Sequence, residues 1–152
     1  MDIESLLRCL NARRVDYVVI GALAMPVHGY FRASRDIDVL IRPTEENARS
    51  TLAALADAGY DVADLDASTL LVKKILLRQY APRTDVHPSA KGVDWDGVSG
   101  RAVATEIAGV PARVASLDDM IAMKEAAGRP KDLEDLKALR RLKDRGRAHG
   151  GG

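Results

Sequence analysis

Asp36-Ile37-Asp38-Val39-Leu40-Ile41 alternates polar and apolar side chains, and a chain written this way folds as a half-buried strand. Ile37, Val39 and Ile41 share the inward face, so the carboxylates of Asp36 and Asp38 project together from the other. Their Cα atoms are then about 6.5–7 Å apart. Side chains converging from that separation can hold a pair of hard cations about 3.5–4 Å apart. Without a cation the arrangement is costly: two unit charges about 4 Å apart repel by roughly 4 kcal/mol at an effective dielectric of about 20. An oxygen-only ligand set selects Mg²⁺ or Mn²⁺ over zinc. The same spacing also suits the solvated face of an edge strand.

The flanking segments bear on that choice. Tyr17-Val18-Val19-Ile20 is a β-branched run stopped by Gly21 and reads as a buried strand. Ala22 to His28 then suits two helical turns, with Gly29 as the stop. A strand running through Gly21-Ala22 into a helix exposes backbone N–H groups where a phosphate can sit; a plain tight turn with Gly21 at positive φ fits as well. Neither the dinucleotide-binding glycine pattern nor the P-loop pattern is present. A third acid, Asp85, lies in Arg83-Thr84-Asp85-Val86-His87-Pro88. If Arg83 to His87 is a strand, Arg83, Asp85 and His87 share one face opposite Val86. Next to the first pair, Asp85 completes a three-carboxylate site and can deprotonate an attacking hydroxyl, with His87 lining the cleft. On its own it is a turn residue.

Elsewhere, Ile3, Leu6, Leu7 and Leu10 mark an amphipathic helix behind Asp2, ending near Arg13. Thr44 caps a helix through about Ala58, closed by Gly59. Leu70 to Tyr80 is read as a strand, and Val103–Ile107 with Ala112–Ala115 as a hairpin turning at Gly109-Val110-Pro111. Trp95 reads as a hairpin or loop anchor. Ser116 and Asp119 form a capping box that opens a helix to about Ala127, and Pro130 opens a last helix to roughly Arg145. Strands and helices mixed in this order predict one α/β domain over 1–145, with a mixed sheet, a C-terminal helix pair and a disordered tail at 146–152.

With 47% hydrophobic residues the chain is too apolar for disorder, and its longest uncharged stretch, Tyr17 to Phe31, is too broken by Gly21, Pro26 and Gly29 to span a membrane. Acids at Asp2 and Glu4 argue against a secretory signal, and the single Cys9 suits a reducing compartment, so a soluble cytoplasmic protein is expected. The net charge of +1 gives no global pull on nucleic acid; any such contact must be local, as along Lys137, Arg140, Arg141, Lys143, Arg145 and Arg147.

The ordered set Gly21-Ala22, Asp36-Ile37-Asp38 and Asp85 resembles the nucleotidyltransferase superfamily with a polymerase-β-like fold. Arg32-Ala33-Ser34-Arg35-Asp36-Ile37-Asp38 looks closest to the minimal branch related to AbiEii-type toxins, which writes R-x-[ST]-x-D-x-D. That branch also carries K-x-x-A-x-x-R-x-x-D-x-x-D; Lys124, Ala127, Arg129, Asp132 and Asp135 follow it, with Arg129 one residue early. The resemblance implies transfer of a nucleoside monophosphate from an NTP to a hydroxyl, on a tRNA 3′ end or a protein. Asp36, Asp38 and Asp85 would hold Mg²⁺ or Mn²⁺, and Gly21, Ala22, Arg32, Ser34 and Lys124 the nucleotide. It also implies a toxin–antitoxin setting with an antitoxin partner. Ala22 stands where the superfamily has Gly or Ser, so phosphate would rest on backbone N–H groups and nearby cations.

Lys124 falls at the end of its helix's apolar stripe after Leu117, Met120 and Ile121, where a lysine needs a carboxylate, a ligand phosphate or a way to snorkel out. Two other functions compete. One is a catalytically silent nucleotidyltransferase-fold module that binds nucleotide or protein; the other is an RNA-binding domain using its basic helix.

Overall fold

Side-chain caps set most helix starts. Asp2 accepts the Ser5 N–H at 2.8 Å and begins α1 (Ile3–Ala12), whose Leu6, Leu7 and Leu10 are buried. In this computed structural model, which describes residues 2–79 and 82–150 and side chains as far as Arg147, β1 (Tyr17–Ile20) follows. Two short 3₁₀ turns, Gly21–Ala24 and Pro26–His28, then lead to β2 (Ile37–Ile41). Helical turns were expected over 22–28, but Pro26 has no N–H to continue a helix and Gly29, at φ 96°, ends the segment.

Thr44 caps α2 (Glu45–Asp57) by accepting the Asn47 N–H. Asn47 itself is buried and fully used: its Oδ1 accepts the Asp16 N–H, and its Nδ2 donates to the Asp16 and Arg42 carbonyls at 2.9 and 3.0 Å. It thereby pins the start of β1 to the end of β2.

The strand expected over Leu70 to Tyr80 is a correction. Asp66 accepts the Thr69 N–H and both the Ser68 and Thr69 hydroxyls, so α3 (Ala67–Val72) forms and only β3 (Ile75–Leu77) remains as strand. Tyr80 lies outside the described residues. β4 (Thr84–His87) matches the expected strand. Trp95 is a second correction: it opens α4 (Trp95–Arg101), capped by Asp94 through the Gly97 N–H at 2.7 Å.

β5 (Val103–Ile107) and β6 (Val110–Val114) form the expected hairpin, but its turn is Ala108-Gly109, both at positive φ (51° and 78°). Pro111 therefore lies inside β6, opposite Glu106. One step from a two-residue turn, that pair exchanges no ladder bonds, so the missing proline N–H costs nothing there. The Pro111 carbonyl accepts from Asn11 Nδ2.

α5 (Leu117–Ala127) opens on the Ser116–Asp119 capping box and closes on Gly128 at φ 60°. After a 3₁₀ turn at Pro130–Asp132, α6 (Leu133–Gly150) packs along α5. It extends past the expected end near Arg145, since Gly146 lowers helix propensity without breaking the hydrogen-bonded run.

The six strands lie in the order β3-β4-β2-β1-β6-β5. β2 runs antiparallel to β1 and parallel to β4; β6 runs parallel to β1. The sheet is mixed and the class α/β, with the C-terminal helix pair in place. Ile37, Val39, Ile41, Thr84 and Val86 bury on one face of the central strands, while Asp38, Asp85 and His87 stay partly open on the other. Among the described residues no helix is long and apolar enough to cross a membrane.

Candidate active site

Parallel pairing of β2 with β4 sets Asp38 directly opposite Asp85, and Leu40 opposite His87. Residues so paired share a face, so the two carboxylates meet side by side. His87 reaches back across the strands, its Nε2 2.9 Å from Asp38 Oδ1. Asp38, Asp85 and His87 each offer a ligand atom, and these atoms all lie within 4.8 Å of one another. On the β1 side Ile20 is the neighbour of Asp38, and the chain then turns at Gly21 (φ 71°). A Cβ at Gly21 would meet Asp38 Oδ2 at 2.8 Å, so only glycine lets the turn lie against that carboxylate.

Three acids meet three bases from the β3–β4 segment. Arg83 Nε lies 3.3 Å from Asp36 Oδ1, His87 faces Asp38, and Arg78 contacts Asp85. Arg78 Nη1 comes within 2.6 Å of Asp85 Oδ1, and Nη2 donates to Oδ2 at 3.4 Å. Oδ1 is buried, yet among the described residues no donor reaches it with hydrogen-bond geometry; the short contact is ionic. A buried carboxylate oxygen that meets Arg78 as an ion pair without a hydrogen bond, set beside a second carboxylate and an imidazole, gives a donor set that fits a divalent cation.

Of the acids singled out in the sequence, the structure brings Asp38 and Asp85 together. Asp36 precedes β2, outside that cluster, in a local turn where Ser34 Oγ accepts its N–H and donates to its carbonyl, both at 3.1 Å. Ser34 thus shapes the approach to Asp36. Arg78 went unnoticed in the sequence; alternation along β3 past Leu76 is the signal that would have found it.

A second charged cluster adjoins the first. Lys124 Nζ lies 3.0 Å from Asp132 and 3.3 Å from Asp135, both nearly fully buried. Of the alternatives open to this lysine, carboxylate pairing is the one realised. Arg129 clamps Asp132 through Nε (2.7 Å) and Nη2 (3.1 Å). That clamp, helped by Lys124, brings the Asp132 carboxyl down to about 2. Asp135 also accepts from the Tyr30 hydroxyl at 3.2 Å and pairs with Arg32. The Arg129 guanidinium is raised by Asp132 first, with Asp38 adding to the pull, so the two clusters lie within electrostatic range.

Residues 2–143 match the model of a family described as nucleotidyltransferase of unknown function (DUF6036). The chain belongs to this family. No curated protein matches it. Among solved structures, TM1012 from Thermotoga maritima, a protein assigned to the nucleotidyltransferases, superposes with a TM-score of 0.56 at 16% identity, covering 94% of this chain and 91% of that one. The structure of ANT(2″)-Ia in complex with adenylyl-2″-tobramycin gives a TM-score of 0.51 at 16% identity, covering 97% and 95%. At such identity the likeness establishes a shared fold. The DUF6036 match places the chain in the nucleotidyltransferase superfamily; the narrower AbiEii-like branch rests on the motifs alone.

Proposed function

We propose that this DUF6036 chain is a divalent-metal-dependent nucleotidyltransferase that moves a nucleoside monophosphate from an NTP to a hydroxyl acceptor. The observation that carries the reading is the register that sets Asp38 against Asp85 beside the Gly21 turn. Asp38 and Asp85 would hold an ion between β2 and β4, and Asp36, outside that cluster and paired with Arg83, would reach a second ion only by leaving Arg83. Mg²⁺ or Mn²⁺, when bound, neutralises charge at the triphosphate and acidifies the acceptor hydroxyl. Asp85 accepts the hydroxyl proton as general base. Gly21 and Ala22 present backbone N–H groups to phosphate. Arg32, Ser34 and Lys124 complete the nucleotide side, with Arg32 and Lys124 already anchored to Asp135. Residues 1–145 act as one catalytic unit in the cytoplasm. The AbiEii-like motifs favour a tRNA 3′ end or a protein as acceptor, in a toxin–antitoxin pair with an antitoxin as partner.

Incubation with α-labelled NTPs, Mg²⁺ or Mn²⁺, and total tRNA or cell lysate tests this. Label transfer that disappears in Asp38→Ala and Asp85→Ala supports the assignment, whereas transfer untouched by both removes it. A second reading, a silent nucleotide- or protein-binding module, draws on one observation: each acid already has a basic partner, in Arg83, His87 and Arg78. Nucleotide binding without transfer to any acceptor would select it.

A further inference from the structure

We infer that His87 is a direct nitrogen ligand of the metal held by Asp38 and Asp85, and that it tilts the site toward Mn²⁺ over Mg²⁺. The inference rests on the metal-dependent reading above and goes beyond it to the identity of the ion.

The Asp-x-Asp pattern provides for a third oxygen donor at Asp36, but Asp36 sits outside the donor cluster and faces Arg83 at 3.3 Å. The position beside Asp38 and Asp85 is filled by an imidazole instead. Donors around a six-coordinate ion with bonds of about 2.1 Å stand about 3 Å apart when adjacent and about 4.2 Å apart when opposite. His87 Nε2 lies 2.9 Å from Asp38 Oδ1, and the three donors all fall within 4.8 Å, so little movement closes them on one ion. The backbone fixes where the ring sits, because His87 ends β4 in register with buried Leu40, and its side chain is only 17% exposed. Mg²⁺ favours all-oxygen surroundings and gives up water reluctantly, while imidazole binds increasingly well along the first-row series that begins with Mn²⁺. Two carboxylates and one imidazole therefore discriminate where three carboxylates would not.

Pulsed electron paramagnetic resonance of the full chain with Mn²⁺ alone reads the ligand directly. The expected result is a ¹⁴N coupling of a directly bound nitrogen, kept in His28→Asn and lost in His87→Asn. His28 is the control because its Nε2 is taken by the Ala115 carbonyl at 2.7 Å. His87→Asn should also weaken Mn²⁺ binding roughly tenfold or more, with a smaller change for Mg²⁺ in competition. Bound Mn²⁺ without nitrogen coupling in the wild-type protein would overturn the inference and leave His87 as a hydrogen-bond donor to Asp38, with the metal site intact. Failure of the folded wild-type chain to bind either ion would overturn the metal-dependent reading as well. A wild-type spectrum without nitrogen coupling overturns the inference whether or not the variants fold, and coupling retained in folded His87→Asn overturns it as well.

Discussion

Gly21 lies against Asp38 so closely that a Cβ on the glycine would sit 2.8 Å from the carboxylate Oδ2 and 3.3 Å from Cγ. A side chain there would meet two penalties: the left-handed φ of 71°, and displacement of an acid in the donor cluster. Gly21→Ala should lower stability by about 1–2 kcal/mol from the backbone alone and should also weaken divalent-ion binding. Gly29→Ala is the control. It has a left-handed φ of 96°, but its Cβ would meet only Leu142 Cδ2, at 3.6 Å. Thermal melts with Mn²⁺ titrations of both variants check this: similar stability losses are expected, with ion binding impaired in Gly21→Ala only.

Asp135 ties the segment before β2 to the C-terminal helices, since Tyr30, Arg32 and Lys124 all converge on it. Removing one partner of a buried ionic cluster costs about 3–5 kcal/mol because the others are left uncompensated. Asp135→Ala should therefore destabilise the fold by about that amount, and it should release residues 30–36. Hydrogen exchange checks the second effect: amides in that segment should exchange faster in Asp135→Ala than in the wild-type protein, by more than those of α1 do.

What the sequence made legible was mostly local chemistry. Asp2, Thr44 and Ser116 cap helices where their spacing placed them, because a cap needs only its own next three residues. The period-two alternation of β2 likewise fixed which side chains point inward. Register was not legible: that Asp38 rather than Asp36 faces Asp85 is decided across α2, α3 and β3, beyond any spacing rule. His87 entered the donor cluster, and Arg78 became the counter-ion of Asp85, for the same reason. α4 was hidden because Gly97 and Gly100 argue against a helix, leaving the Asp94 cap and the charges of Asp96 and Arg101 at its two ends as its signals. Lys124 had to find a carboxylate, a phosphate or a way out to solvent, and the packing of the C-terminal segment on α5 brought Asp132 and Asp135 to it.

Asn47 supports the site from a distance by joining the β1 start to the β2 end. Asn47→Ala leaves the Asp16 N–H without its acceptor, while the Asp16 and Arg42 carbonyls keep backbone donors in the Arg42 and Thr44 N–H groups; a stranded donor of this kind costs about 1–3 kcal/mol. Asn47→Asp keeps the acceptor for Asp16 but replaces the donor with a second acceptor facing two carbonyls, so it should not rescue stability. Denaturant unfolding of both variants should show midpoints well below the wild-type value.

Acid should weaken the second cluster over a defined window. The Asp132 carboxyl is depressed from 3.8 to about 2 by the Arg129 clamp and by Lys124. A carboxyl with a folded pKa below its unfolded one binds fewer protons when folded, so its stabilising contribution is complete above about pH 4. That contribution is lost as pH falls through the folded value near 2. Asp132→Asn cannot titrate; at every pH it leaves Arg129 without the carboxylate it clamps and Lys124 with Asp135 alone. The variant should therefore melt well below wild type at pH 6, and the gap should narrow steadily from pH 4 toward pH 2. A gap that stays constant across that range would mean the Asp132 ion pairs add nothing to folding.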